Sequence, residues 1–192
     1  SYHGVTMAAA ALTGLPVMHT HFDVPTDALG ILRVSTPHYY HGQQDDESEA
    51  QFVGRLVREL EQLIEREGAD TIAAFIAEPV QGAGGVIIPP AGYFDQIQEI
   101  CRRHDILFIV DEVITGFGRT GHWFASEKMG LSPDMMTMAK ATTNGISPMG
   151  VVACKEDIYD AIAENAPKGT IELFHGYTYS GIPISVAAGE IS

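Results

Sequence analysis

The chain has 192 residues, 45% of them hydrophobic, which is enough for one domain with a buried core. Its 11 lysines and arginines against 25 aspartates and glutamates give a net charge of −14, which argues against nucleic acid or an anionic membrane as a partner. No apolar run approaches the ~18 residues that a transmembrane helix needs. The two cysteines form no CxxC pair, and this usage is typical of a reduced, cytoplasmic protein.

Helices and strands are predicted to alternate along the chain. Residues 45–68 predict an amphipathic helix, because apolar residues recur there every three or four positions and Gly68 follows. Short apolar runs at 71–77, 106–110 and 135–139 predict strands that are covered on both faces. The other predictions are, in chain order, a packed helix at 5–13, a surface loop at 16–44, an extended piece at 86–88, helices at 90–104 and 124–129, a strand at 149–154 and a helix at 155–164.

This alternation predicts an α/β fold, a three-layer sandwich with a mostly parallel sheet. Ligands of such sheets bind outside the carboxyl ends of the strands. Glu78, Asp111 and Lys140 each follow a predicted strand at or just beyond its carboxyl end. We therefore expect these three ionisable groups to lie along one edge of the sheet.

Asp111 and Lys140 each allow two interpretations. Asp111 is either a turn or helix-capping residue, or the carboxylate that keeps the ring nitrogen of pyridoxal phosphate protonated. Lys140 is either a surface lysine, or the amine that forms a Schiff base with that cofactor. A catalytic lysine needs a desolvated site or a cationic neighbour, and the flanking Met138 and Ala139 favour desolvation.

Other chemistries are less well supported by the sequence. The glycines at 116–121 do not fit a phosphate-binding or dinucleotide-binding loop, and no GxSxG motif indicates a hydrolase. The pairs His19 and His21, and His38 and His41, lack acidic or cysteine partners at ligand spacing, so we predict no metal site.

Five motifs resemble those of the class III aminotransferases, which are pyridoxal-phosphate enzymes of fold type I, sometimes called ω-transaminases. They occur in family order and together span the chain. The motifs are SYHG at 1–4, AEPVQGAGG at 77–85, DEVITGFGRTG at 111–121, DMMTMAKATTNG at 134–145 and FHGYTYSG at 174–181.

The resemblance implies a role for individual residues. Lys140 would bind the cofactor covalently and carry the reaction's proton, and Asp111 would pair with the pyridine nitrogen. Val113 would pack on one face of the ring and Tyr2 on the other, with His3 shaping the turn beside Tyr2.

The resemblance also implies a homodimer with a shared active site. Thr178 would donate its hydroxyl to the cofactor phosphate of the neighbouring subunit. Glu78 would lie on the substrate side, as the acid that pairs with a switch arginine. The chain starts without Met and stops inside a predicted helix, so we expect residues 1–192 to be part of the large cofactor-binding domain. An N-terminal segment and a small C-terminal domain would lie outside it.

The implied reaction moves an amino group from an amine or ω-amino acid to a keto acid such as pyruvate. Ile114 stands where the branch acting on 4-aminobutyrate has Gln, which favours the pyruvate-dependent branch. The same architecture also serves aminomutases, decarboxylases and lyases, and a truncated, inactive piece is a further alternative.

Overall fold

A computed structural model describes residues 1–20 and 22–192, except for the side chains of Asp27 and Tyr177, and shows one four-stranded sheet within them. The strands are β1 (Ala74–Ala77), β2 (Leu107–Asp111), β3 (Met135–Met138) and β4 (Val151–Cys154). They lie in the order β1-β2-β3-β4, with β1, β2 and β3 parallel and β4 antiparallel to β3. The predicted α/β fold with a mostly parallel sheet is confirmed.

Helices connect and flank these strands. They are α1 (Met7–Leu12), α2 (Pro16–Thr20), α3 (Tyr39–Gly42), α4 (Glu49–Glu67), α5 (Tyr93–Arg103), α6 (Ala125–Met129), α7 (Glu156–Glu164) and α8 (Pro183–Ile191). Short 3-10 turns occupy Asp27–Leu29, Ala69–Thr71, Lys140–Thr142 and Tyr177–Tyr179. No helix in the described part of the chain is long and apolar enough to cross a membrane.

The longest helix, α4, begins at a capping box. The Ser48 hydroxyl accepts the Gln51 N–H at 3.3 Å, and the Gln51 side chain accepts the Ser48 N–H at 2.8 Å. The helix ends at Gly68, whose φ of 88° is in the left-handed region and whose N–H donates to the Ile64 carbonyl at 2.9 Å. Both ends are therefore fixed by local sequence.

The core lies between α4, α5 and the sheet. Apolar side chains spaced three or four apart on both helices pack against β2, where Phe108 and Val110 are buried. Cys101 of α5 belongs to this cluster, and burial raises the pKa of its thiol to about 12. The buried members are Phe52, Val53, Leu56, Leu60, Ile64, Tyr93, Phe94, Ile97, Ile100, Cys101, Ile106, Phe108 and Val110.

One carboxylate ties the amino-terminal edge of the sheet together. Asp134, just before β3, accepts the Phe108 N–H of β2 at 2.7 Å and the Lys155 ammonium, after β4, at 2.7 Å. In this sheet Ala77 pairs with Val110, and Asp111 with Thr137. The carboxyl ends of β1, β2 and β3 consequently face the same edge.

Two predicted segments differ from the structure. The strand predicted at 71–77 begins only at Ala74, because Thr71 closes the end of α4: its hydroxyl donates to the carbonyls of Glu67 and Gly68 at 3.1 and 2.9 Å. The loop predicted at 16–44 contains α2 and α3, which are too short to show a helical period.

The capping box generates a stability prediction. Ser48→Ala removes the side-chain acceptor at the start of α4 and should lower the free energy of unfolding by about 1 kcal/mol, measured by urea denaturation of the full protein. Ser132→Ala is the matched control, because Ser132 is exposed and its hydroxyl has no hydrogen bond within the described residues. Equal losses in both variants would contradict the assignment.

Candidate active site

The three predicted ionisable residues lie at or just beyond the carboxyl ends of three adjacent parallel strands. Glu78 directly follows β1, Asp111 is the last residue of β2, and Lys140 comes two residues after β3. Glu78 and Asp111 are each 5% exposed, whereas Lys140 is exposed. The edge therefore combines two buried acids with one accessible amine.

Asp111 is held from two sides. His3 Nδ1 lies 2.7 Å from Asp111 Oδ2, and the Val113 N–H donates to Oδ1 at 3.1 Å. A buried carboxylate is costly unless it is hydrogen-bonded, and these two contacts stabilise it. Because a carboxylate offers about four acceptor sites, Asp111 retains the capacity to accept a further N–H.

His3 reaches Asp111 because residues 1–4 are anchored elsewhere. The His3 N–H donates to Thr13 Oγ1 at 2.9 Å, and the Thr13 hydroxyl donates to the Ala9 carbonyl of α1 at 2.9 Å. The sequence predicted only that His3 shapes a turn. The hydrogen bond to Asp111 spans 108 positions, and no local pattern in the sequence indicates it.

Glu78 gathers the same N-terminal residues. Its Oε1 accepts the Ser1 hydroxyl and, at 2.9 Å, the Tyr2 N–H, while its Oε2 accepts the Gly82 N–H at 3.0 Å. The structure therefore gives this carboxylate a positioning contact to Tyr2, while its substrate-side role stays a prediction. A Cβ at Gly82 would lie 3.0 Å from Ile114 Cγ1, so a larger residue at this position would have to displace the Ile114 side chain.

Lys140 has a strained backbone and an unpaired side chain. Its φ of 49° is in the left-handed region, which is uncommon for a residue other than glycine, and such strain clusters at functional sites. Its carbonyl accepts the Gly145 N–H at 3.3 Å, which closes the turn. Among the described residues, none forms a hydrogen bond or ion pair with Lys140 Nζ.

The expected desolvation of Lys140 is not found in this chain. Ala139 is half-buried and Met138 is buried, but the lysine itself projects from the open edge of the sheet and is exposed. The packing that the flanking apolar residues provide stops one residue before it.

The remaining predicted residues lie around this edge. Val113 and Tyr2 are half-buried, and each contributes a backbone N–H to one of the two acids. Thr178 is exposed in the Tyr177–Tyr179 turn, and its role toward a neighbouring subunit stays a prediction.

The sequence analysis missed Glu112, which is 0% exposed. Its carboxylate accepts hydrogen bonds from the Ala125 N–H at 3.1 Å, from the Ser126 N–H and hydroxyl at 2.7 Å each, and from the Thr115 hydroxyl. The available signal in the sequence was an acid between two apolar runs, at 106–110 and 113–114. An acid that is buried with such runs needs hydrogen-bond donors in the fold.

The donor set fits pyridoxal phosphate. Asp111 has acceptor capacity for a ring N–H, and among the described residues neither the Lys140 amine nor the buried hydroxyl of Thr137 has a hydrogen-bond partner. Thr137 pairs in register with Asp111, so both side chains lie on the same face of the sheet. Within residues 1–20 and 22–192, no group of three or more His, Cys, Asp and Glu side chains is arranged to hold a metal ion, and His21 lies outside the described residues.

Comparison with known proteins agrees with this chemistry. The sequence profile of the family described as aminotransferase class-III matches residues 1–192. The chain is 50% identical over 188 residues to gamma aminobutyrate transaminase 3, chloroplastic, of Solanum lycopersicum, covering 97% of this chain and 35% of that protein. It is 48% identical over 188 residues to vanillin aminotransferase of Capsicum frutescens, covering 97% of this chain and 40% of that protein.

Solved structures agree as well. The omega transaminase from Pseudomonas jessenii in complex with PMP superposes with a TM-score of 0.91 at 44% identity, covering 98% of this chain and 41% of that one. The chain thus spans between 35% and 41% of the length of these proteins. The resemblance inferred from the five motifs is confirmed, and the chain belongs to the class III aminotransferases.

Proposed function

We propose that this chain forms part of the large, cofactor-binding domain of a transaminase. The enzyme moves an amino group from an amine or ω-amino acid to a keto acid such as pyruvate. The observation that carries the proposal is the doubly held Asp111 carboxylate at the end of β2, beside the strand that leads to Lys140. Pyridoxal phosphate, the cofactor of this family, supplies an aldehyde that accepts the amino group and a ring that withdraws electrons.

Asp111 serves as the partner of the ring nitrogen. Its two hydrogen bonds leave acceptor capacity for the ring N–H, and its negative charge keeps that nitrogen protonated. His3 and the Val113 N–H prevent the carboxylate from rotating away. We assign Tyr2, which precedes His3, and Val113, which bonds to Asp111, to the two faces of the ring.

Lys140 serves as the nucleophile and the base. Its exposed Nζ would bind the cofactor and, once released, would take the proton from the substrate carbon that bears the amino group and pass it on to the cofactor. A side chain without an ion pair is free to make both movements. We assign Glu78 to the substrate side, where its contacts to Ser1 and Tyr2 also fix the N-terminal residues.

One residue and the names of the relatives bear on the choice of substrates. The relatives are named for gamma aminobutyrate and for vanillin, so their names do not favour one donor. Ile114, an apolar and partly exposed residue beside Gly82, is the feature that favours the pyruvate-dependent branch. The cytoplasm stays a prediction, since the tomato relatives are named chloroplastic and mitochondrial.

We further propose a homodimer with Thr178 reaching the phosphate of the neighbouring subunit's cofactor. The support is a strongly apolar surface around this residue: Phe174 is 93% exposed and Tyr179 is 81% exposed. Aromatic side chains this accessible are typical of surfaces that another chain covers.

The attachment of the cofactor to Lys140 is directly testable. Borohydride reduction of the full-length holoprotein, followed by peptide mass mapping, should find the cofactor on Lys140. Lys140→Ala should lower kcat by at least ~10² because the base is lost. Lys155→Arg is the control, as Lys155 is paired with Asp134 at the opposite edge of the sheet. Cofactor fixed on another lysine would refute the assignment.

The effect of the His3 hydrogen bond can be separated from the effect of the size of its ring. His3→Phe removes the hydrogen bond to Asp111 and should raise the dissociation constant of pyridoxal phosphate by about 10-fold to 100-fold, since hydrogen bonds to charged groups contribute ~1.5–3 kcal/mol. His3→Asn keeps a donor near the Nδ1 position and should recover most of the affinity. His122→Phe, at an exposed histidine, should leave it unchanged. Equal affinity of the Phe and Asn variants would argue against the hydrogen bond.

Product analysis distinguishes the reactions that share this architecture. With an amine donor and pyruvate, the full-length enzyme should form alanine and the matching ketone or aldehyde in equal amounts. Release of carbon dioxide or ammonia, or an isomerised amino acid without alanine, would instead indicate a decarboxylase, lyase or aminomutase. A protein that binds no pyridoxal phosphate would be the inactive alternative.

A further inference from the structure

Glu112 is a buried charge that the proposed chemistry does not use. It is 0% exposed, and its two oxygens accept four hydrogen bonds, from Thr115, from Ala125 and twice from Ser126. A carboxylate without solvent is tolerated only with such a set of donors. A fully apolar residue at this place would avoid that requirement, which raises the question of what the carboxylate does.

The donors come from both ends of one turn. Thr115 lies near the start of residues 113–124, while Ala125 and Ser126 begin α6 immediately after them. Glu112 therefore links the two ends of this turn through its side-chain hydrogen bonds. The Glu112 carbonyl accepts the Gly116 N–H at 2.9 Å, and a Cβ at Gly116 would lie only 2.9 Å from that same oxygen.

The turn begins with a residue that contacts the site. Val113, the first residue after Glu112, donates its N–H to Asp111 Oδ1 at 3.1 Å. On the other side, the Glu112 N–H donates to the Thr137 carbonyl of β3 at 2.9 Å and continues the sheet ladder. The Glu112 N–H is thus held by the sheet. The Glu112 side chain holds the turn that follows, and Val113 is the first residue of that turn.

We propose that Glu112 is a positioning residue for Asp111. Its carboxylate holds the turn at 113–124 in the shape that aims the Val113 N–H at Asp111 Oδ1, and this sets the orientation in which Asp111 meets the ring nitrogen of the cofactor. Glu112 itself touches neither cofactor nor substrate. The inference rests on the proposed function, because it assigns Asp111 to that nitrogen.

The test uses full-length holoprotein and variants that remove donors or acceptors one at a time. Glu112→Gln keeps the shape of the side chain but replaces one acceptor oxygen with an N–H₂ group. That group is itself a donor, so it cannot accept the N–H and O–H bonds that Glu112 accepts. Thr115→Val and Ser126→Ala each leave Glu112 in place with fewer donors, and they keep the test valid if Glu112→Gln does not fold. Thr71→Val, which loses a hydroxyl at an exposed site, is the matched control.

We expect the variants to weaken cofactor binding by more than their loss of folding stability would explain. Glu112→Gln should raise the dissociation constant of pyridoxal phosphate by about 10-fold to 100-fold, by analogy with metal sites, where loss of a group that orients a ligand weakens binding by that factor. It should also shift the pH dependence of the bound cofactor's visible absorption and speed amide hydrogen exchange at Val113 in the cofactor-free protein. Thr115→Val and Ser126→Ala should show the same changes to a smaller extent, and Thr71→Val none of them.

The opposite pattern would overturn the inference. If the variants lower the urea midpoint but keep the cofactor's dissociation constant within about twofold and its absorption profile unchanged, Glu112 only stabilises the fold. Failure of the proposed function looks different, because the unaltered protein would then bind no pyridoxal phosphate or would attach it to a lysine other than Lys140.

Discussion

The buried carboxylate of Asp111 is the constraint on which the rest of the site depends. It lies at the end of a strand with almost no contact to water, so the fold must bring hydrogen-bond donors to it. One donor, the Val113 N–H, comes from two residues along the chain and costs little to arrange. The other, His3, comes from 108 positions away and requires the N-terminal residues to dock on the sheet. Formation of the site is therefore coupled to formation of the tertiary structure.

The docking itself relies on acids at the ends of two strands. Glu78 binds Ser1 and the Tyr2 N–H at the end of β1, and Asp111 binds His3 at the end of β2. Successive residues of one segment are thus held by successive strand ends. Hydrogen bonds between a carboxylate and N–H groups are directional, so this arrangement sets the position of Tyr2 and His3 more narrowly than burial alone does.

Local patterns predicted the scaffold but not these contacts. The run at 106–110 predicted β2 to within one residue, because a short apolar stretch before an acid is a local signal. The antiparallel pairing of β4, the hydrogen bond of His3 to Asp111 and the donors of Glu112 depend on residues that meet only in the fold. The prediction that Lys140 is desolvated was wrong for a related reason. Apolar residues within a strand indicate that the strand is buried, but they do not indicate what surrounds a residue beyond its end.

The two sides of the site differ in how much of their geometry this chain determines. On the acid side, Asp111 is buried and held by two contacts, and the neighbouring Glu112 is buried with four donors of its own. On the amine side, Lys140 is exposed on a strained backbone, and no described residue pairs with its Nζ. In the transamination proposed above, the acid would keep one position throughout, while the amine would bind, release and rebind the cofactor. A carboxylate held by directional hydrogen bonds and a lysine without a fixed partner among the described residues would suit those two roles on neighbouring strands.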